Sequence, residues 1–447
     1  MWRLPDPCGR HLPPIVPFPD LDLTGGKGQI GRMHIETDFD VAIAGGGLTG
    51  ATLALALDQA GFSVALVDAN RPEAMEAEAF DGRASAIAFT ALRQWRNLGL
   101  DDRLQAAAQP MERIVVTDGR APGAGAGPAL PVRLSISSTD LGEAEAGEPL
   151  GWIIENTRVL AALLAALDRS GVTVVRPAQV TGAEMAGNGG RLHLDNGESL
   201  SARLLVSSEG RRSVLRQAAG ITAETAGYGQ TGVVATVALA RPHEGTAWQH
   251  FMPAGPLAIL PLTGDRASLV WTERDDRARA LQTLPEAAFT ALLARRFGDD
   301  LGRPTLIGPR FAYPLSLQRV SAVTAPRLAL VGDAAHGLHP ISGQGLNLGL
   351  KDVAALTEVL SDARDLGEDI GSSLVLDRYA RWRRLDVTGT VTAADLIARV
   401  FSSDHDSLRW LRGLALGVAD RTPAIRRVLA REAGAAAGDL PRSIALG

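Results

Sequence analysis

Two stretches of this chain have residue types spaced to hold a negatively charged ligand. Residues 41–50 read VAIAGGGLTG, and residues 328–352 read LALVGDAAHGLHPISGQGLNLGLKD. Each runs from a short apolar strand pattern through glycines into a helix pattern. A helix that begins beside glycines offers free backbone N–H groups and the positive end of its dipole. In the later stretch the strand covers 328–331 and stops at Gly332-Asp333. Pro340, Gly343 and Gly345 follow, and the helix begins near Leu346-Asn347. Asp333 is placed to accept hydrogen bonds from ligand hydroxyls. Two such junctions in one chain predict a single long ligand laid across both.

The earlier junction has the spacing Gly45-x-Gly47-x-x-Gly50 between a strand at 38–44 and a helix at 48–61. Gly45 permits the tight turn, Gly47 lets a pyrophosphate approach the backbone, and Gly50 lets helix and strand pack closely. A second strand at 63–68 ends on Asp68, 23 residues after Gly45, where a carboxylate binds ribose hydroxyls. An acidic residue there argues against a 2′-phosphate. Further on, DGRASAI (81–87) is expected to open a helix running to about Leu98. Arg83, near its start, is either a phosphate clamp or a plain surface arginine.

The elements that position these residues follow in order. Strands are expected at 114–117, 132–137, 172–175, 191–194 and 204–207, with a helix at 157–170. Asn196-Gly197 suggests a hairpin. Residues 119–131 form a Gly/Pro/Ala-rich loop. Residues 228–275 read as β, with strands at 232–240, 248–252, 257–262 and 267–272. Helices are expected at 284–297, 374–401 and 407–433.

Composition narrows the function classes. The 447 residues exceed one small core. A net charge of −5 gives no case for nucleic acid. Cys8 is the sole cysteine, which excludes intrachain disulfides and cysteine zinc sites and favours a reducing compartment. No 18-residue apolar run predicts a membrane span. Residues 1–37 are rich in proline, then glycine, and read as a disordered extension, with Met33 an alternative start. His336 and His339 sit three apart in a glycine loop and read as structural. No metal site is expected.

Three motifs together resemble the flavin-dependent aromatic hydroxylases, the single-component monooxygenases related to para-hydroxybenzoate hydroxylase. They are GGGLTG (45–50), SSEGRRSVLR (207–216) and GDAAHGLHPISGQGLNLGL (332–350). Within that superfamily the chain looks most like the ubiquinone-biosynthesis hydroxylases, through GWIIENTRVLAALLAAL (151–167), YGQTGVVATV (228–237), HFMPAGPLAILPL (250–262) and SLVWT (268–272). One departure is Glu209, where the family usually has aspartate.

The resemblance implies an α/β fold: a discontinuous, Rossmann-like FAD-binding domain with an inserted, mostly β substrate domain and a helical C-terminal region. The corresponding expectation is FAD-binding segments at 38–113, 151–220 and 310–365. The β-rich substrate segments would be 114–150 and 221–309, with C-terminal helices at 366–447. It implies FAD held by Gly45, Gly47, Gly50, Asp68, Arg83, Glu209, Gly210, Gly332, Asp333, Pro340, Gly343, Gly345, Leu346 and Asn347. NADPH or NADH is the implied co-substrate. The implied reaction is O2-dependent hydroxylation of a prenylated phenol through a flavin hydroperoxide. Val233, Phe251, Leu260 and Trp271 are candidates for the apolar substrate lining, or for ordinary core. Tyr228, Gln230, His250 and Tyr313 are polar candidates, three of them (Tyr228, His250, Tyr313) for catalysis. Other aromatic-ring monooxygenases, a flavoprotein reductase, and a flavin-bound, non-catalytic subunit of a quinone-biosynthesis complex remain as alternatives.

Leu408, Leu411, Ala415 and Val418 recur at helical spacing beside Trp410. Arg409, Arg412, Arg421, Arg426, Arg427 and Arg431 face only Asp420 in charge across 408–431. Such a helix either lies on an anionic membrane or packs with a solvated basic face. With a prenylated substrate, the expectation is a cytoplasmic protein, peripheral on the inner face of the membrane.

Overall fold

The computed structural model describes residues 35–71, 73, 82–118, 133–252, 254–297, 301–337, 343–402, 406–435 and 440–445. The expected extension before residue 35, the start at Met33, the 119–131 loop, Asp81, His339 and Pro340 lie outside the described residues. The side chains of Leu408, Arg409, Trp410 and Leu411 lie outside them too.

Two large sheets carry the site. The first has its parallel strands in the order Leu328–Leu330, Ser199–Ser207, Phe39–Ala44, Val64–Val67, Thr173–Val175. A parallel strand covered on both faces has no water-facing side, so Val64–Val67 is buried at every position instead of alternating. Helices Leu48–Gln59, Asn156–Leu167, Gln344–Asp365 and Ser373–Ser402 accompany this sheet. Leu53, Leu163, Leu356 and Tyr379 belong to one core with Val41 and Val206. The hairpin expected at Asn196-Gly197 joins Gly189–Leu194 to Ser199–Ser207.

The second sheet runs in the order His336–Gly337, Thr305–Val320, Ala223–Ala238, Arg266–Arg274, Leu257–Leu262, Thr246–Phe251, Arg113–Asp118, Arg133–Ser137. Its pairs are antiparallel except Thr246–Phe251 against Arg113–Asp118. Here side chains do alternate. Val233, Ile259, Leu269 and Trp271 form a core with Phe289 and Leu293 of helix Glu286–Phe297. The opposite face lines a cleft, and its far end, at Leu134, Ile136 and Ala247, packs with Leu416 and Ala430.

Several elements differ from expectation. Ala84–Ile87 is a strand, paired antiparallel with Gly151–Glu155 in a small third sheet, and the helix starts only at Phe89. Pairing with a neighbour overrode the local helix pattern. Thr305–Val320 was hidden by Gly308 and Pro314. It lies wholly in the second sheet, so the boundary expected at 310 falls inside it. The helix expected at 407–433 breaks at Thr422-Pro423 into Asp406–Arg421 and Pro423–Ala433. Proline at a helix start has no N–H to continue the preceding ladder.

Candidate functional site: a cleft between two glycine turns

The first glycine turn is shaped by what touches it. Gly45 has φ +100°, and a Cβ there would sit 2.4 Å from the Ser208 carbonyl oxygen. A Cβ on Gly50 would meet the Gly45 oxygen at 1.9 Å. These two glycines serve close packing. Gly47 differs: nothing lies within 4 Å of its missing Cβ, and it borders a large cleft. Asp68 sits behind the turn. Its Oδ2 accepts the Gly46 N–H at 2.6 Å and its Oδ1 the Asn70 N–H at 2.7 Å.

The second turn follows Leu328–Leu330. Gly332 has φ +59°, and its N–H donates to Asp352 Oδ2 at 3.0 Å. Gly343, at φ +64°, precedes helix Gln344–Asp365. Neither Gly47 nor Gly343 can supply a side-chain cap, so both helices open toward the cleft with uncapped N-termini. Asn347 fixes the second opening. Its Oδ1 accepts the Ala88 N–H at 3.0 Å, and its Nδ2 donates to the Ala86 carbonyl at 2.9 Å.

The middle motif lies between the turns. Glu209 Oε2 accepts from the Ser213 hydroxyl at 2.8 Å, the Ser207 hydroxyl at 3.0 Å and the Leu215 N–H at 3.1 Å. Arg216, almost fully buried, donates to the Ala334 carbonyl at 3.0 Å and the Arg211 carbonyl. Arg211 Nε lies 3.8 Å from Asp333 Oδ2. All three motifs are thereby tied into one wall.

That wall bounds a cleft of about 2270 Å3. Gly47, Glu209, Gly210, Gly332, Asp333, Gly343, Gly345, Leu346 and Asn347 line it, as does Arg83, whose guanidinium lies 5.3 Å from the Tyr313 ring centre. Gly45, Gly50 and Asp68 stand behind. The cleft face of the second sheet forms the far wall, with Phe251 and Leu260 on it. Leu416 and Leu429 of the C-terminal helices close another side.

The structure does not gather every candidate there. Val233 and Trp271 point away from the cleft, because Gly232, Val234 and Val270, their neighbours along the strands, face it. Arg296 stacks on Trp271 at 4.6 Å. His250 is likewise on the far face, with Nδ1 2.7 Å from the Thr117 hydroxyl. Tyr228 packs beside Leu317 and Leu348, and Gln230 donates to the Ala254 carbonyl. Of the polar candidates, Tyr313 lines the cleft.

One network reaches beyond the motifs, to Arg383 on helix Ser373–Ser402. Asp352, 1% exposed, accepts from His336 Nε2 at 2.6 Å and from Arg383 Nε at 2.7 Å. Arg383 also pairs with Asp386 at 2.6 Å. Burial works against the Asp352 charge, but His336 and Arg383 outweigh it and hold the carboxyl below its ordinary range. His336, read from the sequence as structural, thus has a buried carboxylate partner. Burial lowers the Lys351 ammonium from its usual value, with Asp386 opposing. Among the described residues, no group of three or more His, Cys, Asp or Glu is placed to hold a metal ion.

A family model described as an FAD binding domain matches residues 38–394. The chain belongs to this FAD-binding family. Its relatives place it among the FAD-dependent aromatic hydroxylases. It is 43% identical over 395 residues to the ubiquinone hydroxylase UbiL of Rhodospirillum rubrum, covering 88% of this chain and 89% of that protein. It is 34% identical over 392 residues to the 3-demethoxyubiquinol 3-hydroxylase of Escherichia coli, covering 87% and 96%. The crystal structure of p-nitrophenol 4-monooxygenase from Pseudomonas putida shares the fold, with a TM-score of 0.72 over 89% of this chain and 98% of that one, at 20% identity.

The cleft of this FAD-binding chain suits the cofactor. Gly47 leaves room where a side chain would obstruct, and two uncapped helix N-termini meet one space. Backbone N–H groups and dipoles so placed favour phosphate and a negatively charged ring.

Proposed function

We propose that the protein is an FAD-dependent monooxygenase that hydroxylates the aromatic ring of a prenylated phenol in ubiquinone biosynthesis, consuming NADPH or NADH and O2. The observation that carries this reading is the continuity of the cleft. The glycine turns that suit a dinucleotide and the apolar sheet face that suits a greasy aromatic border one space.

Bound FAD would supply the oxygen chemistry, delivering one atom of O2 to the ring. The chain supplies the setting. The N-terminus of helix Leu48–Gln59, beside Gly47, would hold the pyrophosphate. Asp333, on the cleft wall, keeps acceptor capacity for cofactor hydroxyls, while Asp68 holds the Gly46 N–H from behind the turn. The N-terminus of helix Gln344–Asp365 would stabilise negative charge on the reduced ring. Val234, Phe251 and Leu260 exclude water where the substrate ring would lie. Tyr313 remains the candidate for touching the phenol.

The engagement of Glu209 by three donors supports an intact turn and weighs against loss of function through this residue. The purified protein with FAD, NADPH, 18O2 and a prenylated phenol should yield a product with one labelled oxygen. NADPH consumption without labelled product sinks the proposal.

Association with a membrane surface is part of this reading. Among the described residues no helix is long and apolar enough to cross a membrane. Leu414, Val418 and Val428 are exposed on the C-terminal helices near exposed Arg421 and Arg427. The basic face is smaller than the arginine count suggests. Arg426 is bound to Asp140 at 2.9 Å, Arg431 pairs with Glu145 at 3.2 Å, and Arg412 is buried.

A further inference from the structure

The second sheet is mostly apolar where it meets the cleft; among its lining residues Tyr313 and Ser316 on strand Thr305–Val320, and Trp248 and Gln249 on strand Thr246–Phe251, carry polar side-chain atoms. Ala247, Gln249 and Phe251 point the same way on that strand, into the cleft. The residues directly across from Gln249 are Val116 on one neighbouring strand and Ala258 on the other. Both line the cleft, and neither has a polar side-chain atom to offer. Gln249 Nε2 is sealed from solvent and has no hydrogen-bond partner.

An amide in such a wall is a cost to the fold unless something satisfies it. Leucine or methionine would fill the same volume without that cost. The terminal torsion of glutamine is broad, and its two ends are exchanged by a flip, so the amide can turn its donor or its acceptor to the cleft.

We infer that Gln249 recognises the oxygen substituent of the substrate ring, which makes it a specificity-determining residue. This rests on the hydroxylase reading and adds the contact that orients the ring. The amide donates to a ring oxygen or accepts from a phenolic hydroxyl, while Val116, Ala258 and Phe251 surround the carbon skeleton. An aromatic ligand lacking the oxygen leaves the amide unpaired and gains nothing from it.

The test compares two probes on the FAD-loaded protein: 2-farnesylphenol, and farnesylbenzene, which lacks the hydroxyl. Gln249→Leu should weaken 2-farnesylphenol binding about tenfold. It should leave farnesylbenzene binding unchanged, so that discrimination between the probes collapses. The ligand-free melting temperature should stay the same or rise, because an unpartnered amide has been removed. Unchanged discrimination between the probes overturns the inference, and so does equal weakening of both, which marks a reshaped cleft. A melting temperature several degrees lower also overturns it, because the amide then has an internal partner. Wild-type protein that binds neither probe overturns the hydroxylase reading itself, which separates the two failures.

Discussion

His336 Nε2 lies 2.6 Å from Asp352 Oδ2, and the same oxygen takes the N–H of Gly332 at 3.0 Å. One buried carboxylate thus joins the glycine turn, the long helix behind it and, through Arg383, helix Ser373–Ser402. Asp352→Asn should cost up to about 3–5 kcal/mol, because buried Arg383 loses its fully buried anion and keeps only the half-buried Asp386. Urea unfolding measures this.

The same carboxylate sets an acid limit. Its folded pKa lies below 3.8, so its contribution is complete above about pH 4 and declines as pH falls toward the folded value. Stability of the wild type should therefore drop more steeply below pH 4 than that of Asp352→Asn. Parallel acid curves remove Asp352 as the cause.

The first turn offers a paired experiment. Gly50→Ala places a Cβ against the Gly45 carbonyl and should destabilise the protein outright, by several kcal/mol or enough to prevent folding. Gly47→Ala projects into open cleft. It should leave the FAD-free melting temperature unchanged while weakening FAD binding about tenfold or more, read by quenching of flavin fluorescence. Normal FAD affinity in Gly47→Ala places the pyrophosphate elsewhere.

Glu209 holds three donors with one oxygen. Glu209→Ala should cost about 1–3 kcal/mol through unsatisfied groups. It should also slow flavin reduction by NADPH, because the Arg211–Asp333 edge of the cleft shifts. Glu209→Asp, the residue common in the family, should fall between the two. Stopped-flow reduction and melting curves separate fold from cofactor handling.

Membrane association should depend on apolar contact more than on charge. Val418→Asp with Val428→Asp should abolish binding to vesicles of anionic phospholipid, while Arg421→Glu with Arg427→Glu should weaken it mainly at low salt. Arg426→Glu is a poor probe, since it breaks the Asp140 pair and should lower stability instead. Sedimentation with vesicles reads both pairs.

The glycine turns were legible because their residue types are forced by backbone conformation and close approach. Gly45 and Gly332 have positive φ, which other residues rarely adopt. The strand Ala84–Ile87 was not legible, since its partner lies at 151–155 and nothing local announces that pairing. The substrate face was half legible. Alternation separates Val233 from Val234 and Trp271 from Val270, but which set meets the cleft depends on helix Glu286–Phe297 covering the other side. Gln249 could have been found from Ala247 and Phe251, two apolar neighbours at period two. The Asp352 network was not legible, because Arg383 reaches Asp352 only through the packing of helix Ser373–Ser402 on helix Gln344–Asp365, and nothing local pairs His336 with Asp352.

The parallel pairing of Arg113–Asp118 with Thr246–Phe251 has a consequence for biogenesis. During translation the earlier strand emerges with one edge bare and no sheet to join. Its partner follows 133 positions later, counting from Arg113 to Thr246. At about 5–20 residues per second, that is roughly 7 to 27 seconds of exposure on the ribosome. Synonymous codons that slow elongation between these strands should raise the aggregated fraction without altering a single amino acid.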